Sequence, residues 1–179
     1  MKGKLLCMAV LLTALWAAAA WAEPAPFGLE LRKTTLKEVK RRFHLKYTGT
    51  SPKYGWSYYD IDKWDLRKLN FEGLKGIELT FSKKGELLSV RCFFVSVKTK
   101  EIFEMLKEKY RLVLAKGNPD EPCCFSALFD GGNKVRIVLN KDYKPHARLL
   151  YICEEHSHML HEVVNEYKTE QRKREKDLL

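Results

Sequence analysis

The chain has 179 residues, with 33 Lys or Arg against 23 Asp or Glu, a net charge of +10. That length fits one domain, or two small repeats sharing a core, rather than several domains. The cationic excess favours contact with anionic surfaces such as phospholipid, cell-wall polymer or an acidic protein.

The chain opens with Lys2 and Lys4, followed by an apolar run from Leu5 to Ala20 and then Ala20-Trp21-Ala22 before Glu23-Pro24. A positive start, an apolar centre and small residues at −3 and −1 predict a signal peptide over 1–22, cleaved ahead of Glu23. The apolar run is shorter than the roughly 20 residues a bilayer crossing needs. Cys7 lies too early to be a lipid-attachment cysteine at the cleavage point, and no later segment is apolar enough to cross. A periplasmic or secreted product is expected, without a transmembrane segment after cleavage, and nucleic acid is not an expected partner there.

In the remaining sequence, Pro24 and Pro26 predict an extended lead-in to Gly28. Thr35-Leu36-Lys37-Glu38 is a capping box, and Leu36, Val39 and Phe43 line one face of the helix behind it. Thr48 to Pro52 is turn-rich, and Gly55 to Asp62 alternates as a strand. Ile77 to Phe81 and Glu86 to Val97 form a hairpin about Ser82-Lys83-Lys84-Gly85. Thr99 is placed as the cap of a second helix, with Ile102, Phe103, Leu106 and Tyr110 on one face. Gly117-Asn118-Pro119 breaks it. Cys124 to Phe129 and Lys134 to Leu139 flank Asp130-Gly131-Gly132-Asn133 as another hairpin, and Ala147 to Cys153 adds a strand. From Glu154 the pattern is helical to about residue 177, with a stripe of Leu160, Val163, Val164 and Tyr167, and it ends in a run of mixed charge.

This order predicts an α+β domain over 23–179. It is built as a pseudo-repeat of two α-β-β-β units, about 27–97 and 98–153, whose antiparallel sheet is backed by helices, with a C-terminal helix over 154–177. Lys37-Glu38-Val39 echoes Lys100-Glu101-Ile102 in the second unit. Phe27-Gly28-Leu29-Glu30-Leu31, followed by Thr34-Thr35-Leu36-Lys37-Glu38-Val39, resembles the opening of small exported bacterial domains. Those domains have the beta-lactamase-inhibitor-protein-like fold, a tandem of helix plus antiparallel sheet. Arg32-Lys33 stands where a glycine commonly precedes the cap. The resemblance implies binding rather than catalysis and transfers no site residues.

Four cysteines follow the signal: Cys92, Cys123, Cys124 and Cys153. An even number in an exported chain predicts disulfides. Adjacent cysteines pair only with a distorted peptide, so Cys92 and Cys153 are each expected to join one of Cys123 and Cys124, or one such bridge forms beside two buried thiols.

Two segments carry candidate sites. Tyr54, Trp56, Tyr58, Tyr59 and Trp64, interleaved with Lys53, offer aromatic area with a polar rim suited to a partner surface. His158 and His161 fall one helical turn apart beside Glu162, a donor set that suits zinc or copper. Asp60, Asp62 and Asp65 lack the glycine turn and distal glutamate of a calcium loop. No P-loop, dinucleotide fingerprint, G-x-S-x-G serine or H-E-x-x-H motif occurs, so catalysis has no support and no cofactor is expected. The leading expectation is a non-catalytic binding module that contacts an envelope protein or an anionic envelope component. The alternative is a periplasmic metal-binding protein using the C-terminal histidines.

Overall fold

The computed structural model describes residues 24–122, 124–141 and 146–157. Helix α1 (Leu36–Arg42) begins at the expected capping box: the Thr35 hydroxyl accepts from the Glu38 N–H, and the Glu38 carboxylate accepts from the Thr35 N–H at 2.7 Å. Both otherwise unpartnered N–H groups of the first turn are thereby satisfied. At the other end of α1, the Arg42 guanidinium donates to the carbonyls of Phe27 at 2.7 Å and Gly28 at 3.0 Å. These bonds tie down the lead-in, which is not extended: Pro26–Gly28 is a single 3-10 turn with Phe27 at φ 59°.

Eight strands make one antiparallel sheet: β1 (Leu45–Thr50), β2 (Ser57–Ile61), β3 (Leu74–Phe81), β4 (Leu87–Val95), β5 (Arg111–Lys116), β6 (Phe125–Asp130), β7 (Val135–Lys141) and β8 (His146–Cys153). Their order is β1-β2-β3-β4-β8-β7-β6-β5. The chain is α+β, as its pattern predicts. The two halves meet where β4 pairs with β8, Val90 opposite Tyr151 and Cys92 opposite Leu149. Each half contributes a helix followed by four strands instead of three. The added strands, β1 and β5, lie at the two edges of the sheet, where one side of the ladder and much of each side chain face solvent. An edge strand needs no apolar alternation, which is why neither declares itself in the sequence.

A short helix, α2 (Lys63–Lys68), follows β2, with the Asp62 carboxylate accepting from the Trp64 N–H at 2.8 Å as its cap. The third helix, α3 (Thr99–Lys109), is where its apolar spacing places it, but Thr99 is its first residue and not its cap. The Thr99 hydroxyl donates back to the Ser96 carbonyl at 2.6 Å. Residues 154–157 are helical, and the rest of the expected C-terminal helix lies outside the described residues. No described helix is long and apolar enough to cross a membrane.

Alternation along the strands builds the core. Ile77, Leu79 and Phe81 of β3, Val90, Cys92 and Phe94 of β4, Ile137 and Leu139 of β7 and Phe129 of β6 are buried in one cluster. Val39 of α1 and Ile102, Phe103 and Leu106 of α3 close over it. The intervening residues point to the opposite face, where Arg91 pairs with Glu78 at 2.6 Å.

The register also decides one cysteine question. Cys92 sits opposite Leu149, and Cys153 lies four residues further along β8. At about 3.3 Å per residue that is roughly 13 Å, past the limit of about 7 Å between the Cα atoms of a disulfide. Both thiols are buried and Cys124 is exposed, and the register keeps Cys92 and Cys153 from pairing with each other. The expected bridges run from Cys92 and Cys153 to Cys123 or Cys124, and Cys123 lies outside the described residues. Burial without a nearby cation pushes the Cys92 thiol up to about 12, so it is a neutral packing group.

Candidate binding surface

The structure divides the six residues of the predicted aromatic segment. Trp56, just before β2, is only 5% exposed. It stacks on Tyr54 with centroids 4.7 Å apart and meets the His156 ring edge-on at 5.7 Å. Lys53 holds its ammonium 5.2 Å from the Tyr54 ring centroid. Tyr59 pairs with Leu79 across the sheet and packs edge-on against Phe81 at 5.8 Å. Tyr58, opposite Thr80, is half-buried, and burial raises its phenol above the ordinary tyrosine range. These residues are mainly packing.

Trp64 differs from them. It lies in the first turn of α2, 63% exposed, with the Lys68 ammonium 5.6 Å from its ring centroid. Tyr47 on edge strand β1 is 54% exposed and rests edge-on against Tyr59 at 5.5 Å. Two amphipathic rings are thus displayed by neighbouring elements of the first half.

A buried polar anchor fixes α2 to the start of β1. The Asp65 carboxylate, 3% exposed, accepts from the His44 N–H at 2.6 Å, the Lys68 ammonium at 2.9 Å and the His44 ring at 2.9 Å. These donors, the backbone N–H foremost, hold its carboxyl well below the usual carboxylate range. Asp65, grouped in the sequence with a possible calcium loop, is instead the pivot that sets the direction of Trp64.

The same half of the chain is rich in cations. Between residues 33 and 68, ten Lys or Arg stand against four Asp or Glu. Lys37 and Arg41 on α1, Lys46 on β1, and Lys63 and Arg67 on α2 are all exposed, and no ion pair neutralises any of them among the described residues. Several cations of the other half are paired. Lys100 pairs with Asp120 at 2.8 Å, Lys107 with Glu104 at 2.9 Å and Arg111 with Asp130 at 2.7 Å. Arg136 and Glu154 form a further pair. Lys109, Lys116 and Lys134 of that half are exposed and without an ion pair among the described residues, so unpaired cations occur in both halves, with five of them on α1, β1 and α2. Of the aromatic candidates read from the sequence, Trp64 belongs to this surface.

The metal candidates His158, His161 and Glu162 lie outside the described residues. Among the described residues, no group of three or more His, Cys, Asp or Glu is placed to hold a metal ion. His156, the neighbour of Trp56, has its pKa lowered by burial, with Arg32 adding to the effect and Glu155 opposing it. No protein-family model, curated protein or solved structure matches the chain, so its functional surface is defined by its own residues alone.

Proposed function

We propose that the mature chain is a non-catalytic exported binding module that docks on an anionic envelope surface through α1, β1 and α2. The observation carrying this reading is that Lys37, Arg41, Lys46, Lys63 and Arg67 are exposed without ion-pair partners among the described residues, in the half of the chain that also exposes Trp64 and Tyr47. Each cation near an anionic lipid surface contributes about 1 kcal/mol, and the attraction fades within a Debye length. Trp and Tyr suit the boundary because their rings are apolar at one end and hydrogen-bonding at the other. The cations supply long-range attraction, and the rings supply short-range burial once contact is made.

The test is co-sedimentation of residues 23–179 with vesicles of phosphatidylglycerol and phosphatidylcholine against phosphatidylcholine alone, at low and high salt. Binding that requires the anionic lipid and weakens with salt is expected. Equal binding to both vesicles, or none to either, would remove the proposal.

A further inference from the structure

Behind α3 lies a partly open cleft. A cavity of about 270 Å³ lies between α3, the lead-in and the sheet. Ile102, Leu106, Phe94 and Leu149 form apolar walls, and Phe27 closes the side nearest the lead-in. A dry apolar cavity of about 150 Å³ already accepts benzene, so this space has room for a small organic molecule.

Its polar groups are few and of one kind. Cys92 and Tyr151 line the cavity, and burial raises both ionisations, so each stays protonated. Tyr110 also lines it, and burial raises its phenol in the same way. Among the described residues none of these three side chains has a hydrogen-bond partner. Among the described residues Lys109 is the only charged one lining the cavity, and no carboxylate there pairs with it. Lys109 ends α3, where the helix carries about half a negative charge; a full ammonium outweighs that field and leaves the mouth attractive to an anion.

The wall at the lead-in is held under tension. Phe27 is a non-glycine residue at φ 59°, kept there by the two Arg42 bonds to the Phe27 and Gly28 carbonyls. A left-handed residue of this kind costs on the order of 1–3 kcal/mol and persists only where its surroundings impose it. The Phe27 ring meets Phe71 edge-on at 6.5 Å, and Phe71 leans on Phe94 at 5.4 Å. Phe27, Phe71 and Phe94 thus form one aromatic wall, its first ring placed by the Arg42 bonds.

We infer that this cavity binds one fatty-acid chain, its tail against Ile102, Leu106, Phe94 and Leu149 and its carboxylate on the Lys109 ammonium and Tyr110 hydroxyl. An apolar enclosure, protonated donors lacking partners and a single unneutralised cation complement an amphiphile with an anionic head. The site is separate from the surface of α1, β1 and α2 and stands or falls independently of it.

The experiment is calorimetric titration of residues 23–179 with decanoate, kept below its micellar concentration, and in parallel with 1-decanol. Saturable binding of one decanoate per chain is expected, at least tenfold tighter than decanol. Lys109→Met, a change at an exposed position, should erase the tenfold preference. Leu106→Trp should fill the cavity and weaken both ligands tenfold or more. If that variant fails to fold, the decanoate–decanol comparison in Lys109→Met decides alone. Absence of saturable decanoate binding, equal affinity for the two ligands in the native protein, or full preference retained in Lys109→Met would overturn the inference. Vesicle binding by Lys109→Met should equal that of the native chain.

Discussion

Replacing Lys63 and Arg67 together by alanine removes two exposed cations of α2 that no carboxylate neutralises among the described residues. Neither residue supports the fold, because the buried contacts of α2 run through Asp65 and its cap through Asp62. At about 1 kcal/mol for each cation near an anionic surface, the pair contributes about 2 kcal/mol. With tenfold in affinity per roughly 1.4 kcal/mol, the variant should bind anionic vesicles about 30-fold more weakly. The matched control is Lys100→Ala with Lys107→Ala, which lowers the net charge by the same amount but takes cations already paired with Asp120 and Glu104. That control should lose less than threefold. Co-sedimentation across a lipid titration measures both, and the gap between them should close at high salt as screening removes the long-range term. Equal losses in the two variants would refute the reasoning, since binding would then follow net charge and not the grouping of cations on α1, β1 and α2.

Other outcomes follow from the core and its anchors. Phe129→Ala, at a fully buried position in the sheet, should cost about 3–5 kcal/mol in urea unfolding; a cost under 1 kcal/mol would mean the site collapses without a cavity. Asp65→Asn tests the α2 anchor. Its carboxyl titrates lower in the folded than in the unfolded chain, so its stabilisation is present above the unfolded value of about pH 4 and is lost as pH falls below that. The melting temperature of the variant should therefore lie below the native value at neutral pH, and the difference should shrink in acid; a difference unchanged by acid would contradict the charge-based anchor. Cys92, with its thiol pushed up to about 12 and its side chain buried, should resist iodoacetamide in the native protein and react once denatured, as read by peptide mass mapping. Modification at native conditions would show that the thiol is accessible. Gly117 lies at φ +83° with the Cys124 carbonyl only 2.3 Å from where a Cβ would stand, so Gly117→Ala should destabilise by at least about 1 kcal/mol; a neutral effect on thermal unfolding would contradict the tight approach.

Much of the fold was legible because several signals are local. The Thr35–Glu38 capping box, the 3.6-residue spacing of Ile102, Phe103 and Leu106, and the glycine-bearing turn ahead of Val135 each report chemistry that acts within a few residues. The strands β1 and β5 were hidden because Lys46-Tyr47-Thr48 and Val113-Leu114-Ala115 are edge segments, half of whose environment is solvent. Helix α2 is only six residues long, too short for periodicity to register. The site divided for a similar reason. Composition marked the aromatic residues, but which rings pack inward depends on the pairing of β2 with β3 and on His156, a hundred residues away in sequence, meeting Trp56. The unneutralised charge of Lys63 and Arg67 could not be read either, because it rests on which carboxylates the fold brings near and which it does not. Likewise, a count of four cysteines suggests bridges, whereas the spacing of Cys92 and Cys153 is set by the pairing of β4 with β8.

The central claim, that the edge bearing Trp64 meets an anionic surface, is tested most directly by tryptophan fluorescence. Residues 23–179 contain two tryptophans, Trp56 and Trp64, and only the second is exposed. On addition of phosphatidylglycerol vesicles, the emission should shift to the blue and the acrylamide-accessible fraction should fall, and Trp64→Phe should abolish both changes. Emission and quenching unaltered by vesicles that demonstrably bind the protein would contradict the account, because the contact would then lie elsewhere on the molecule.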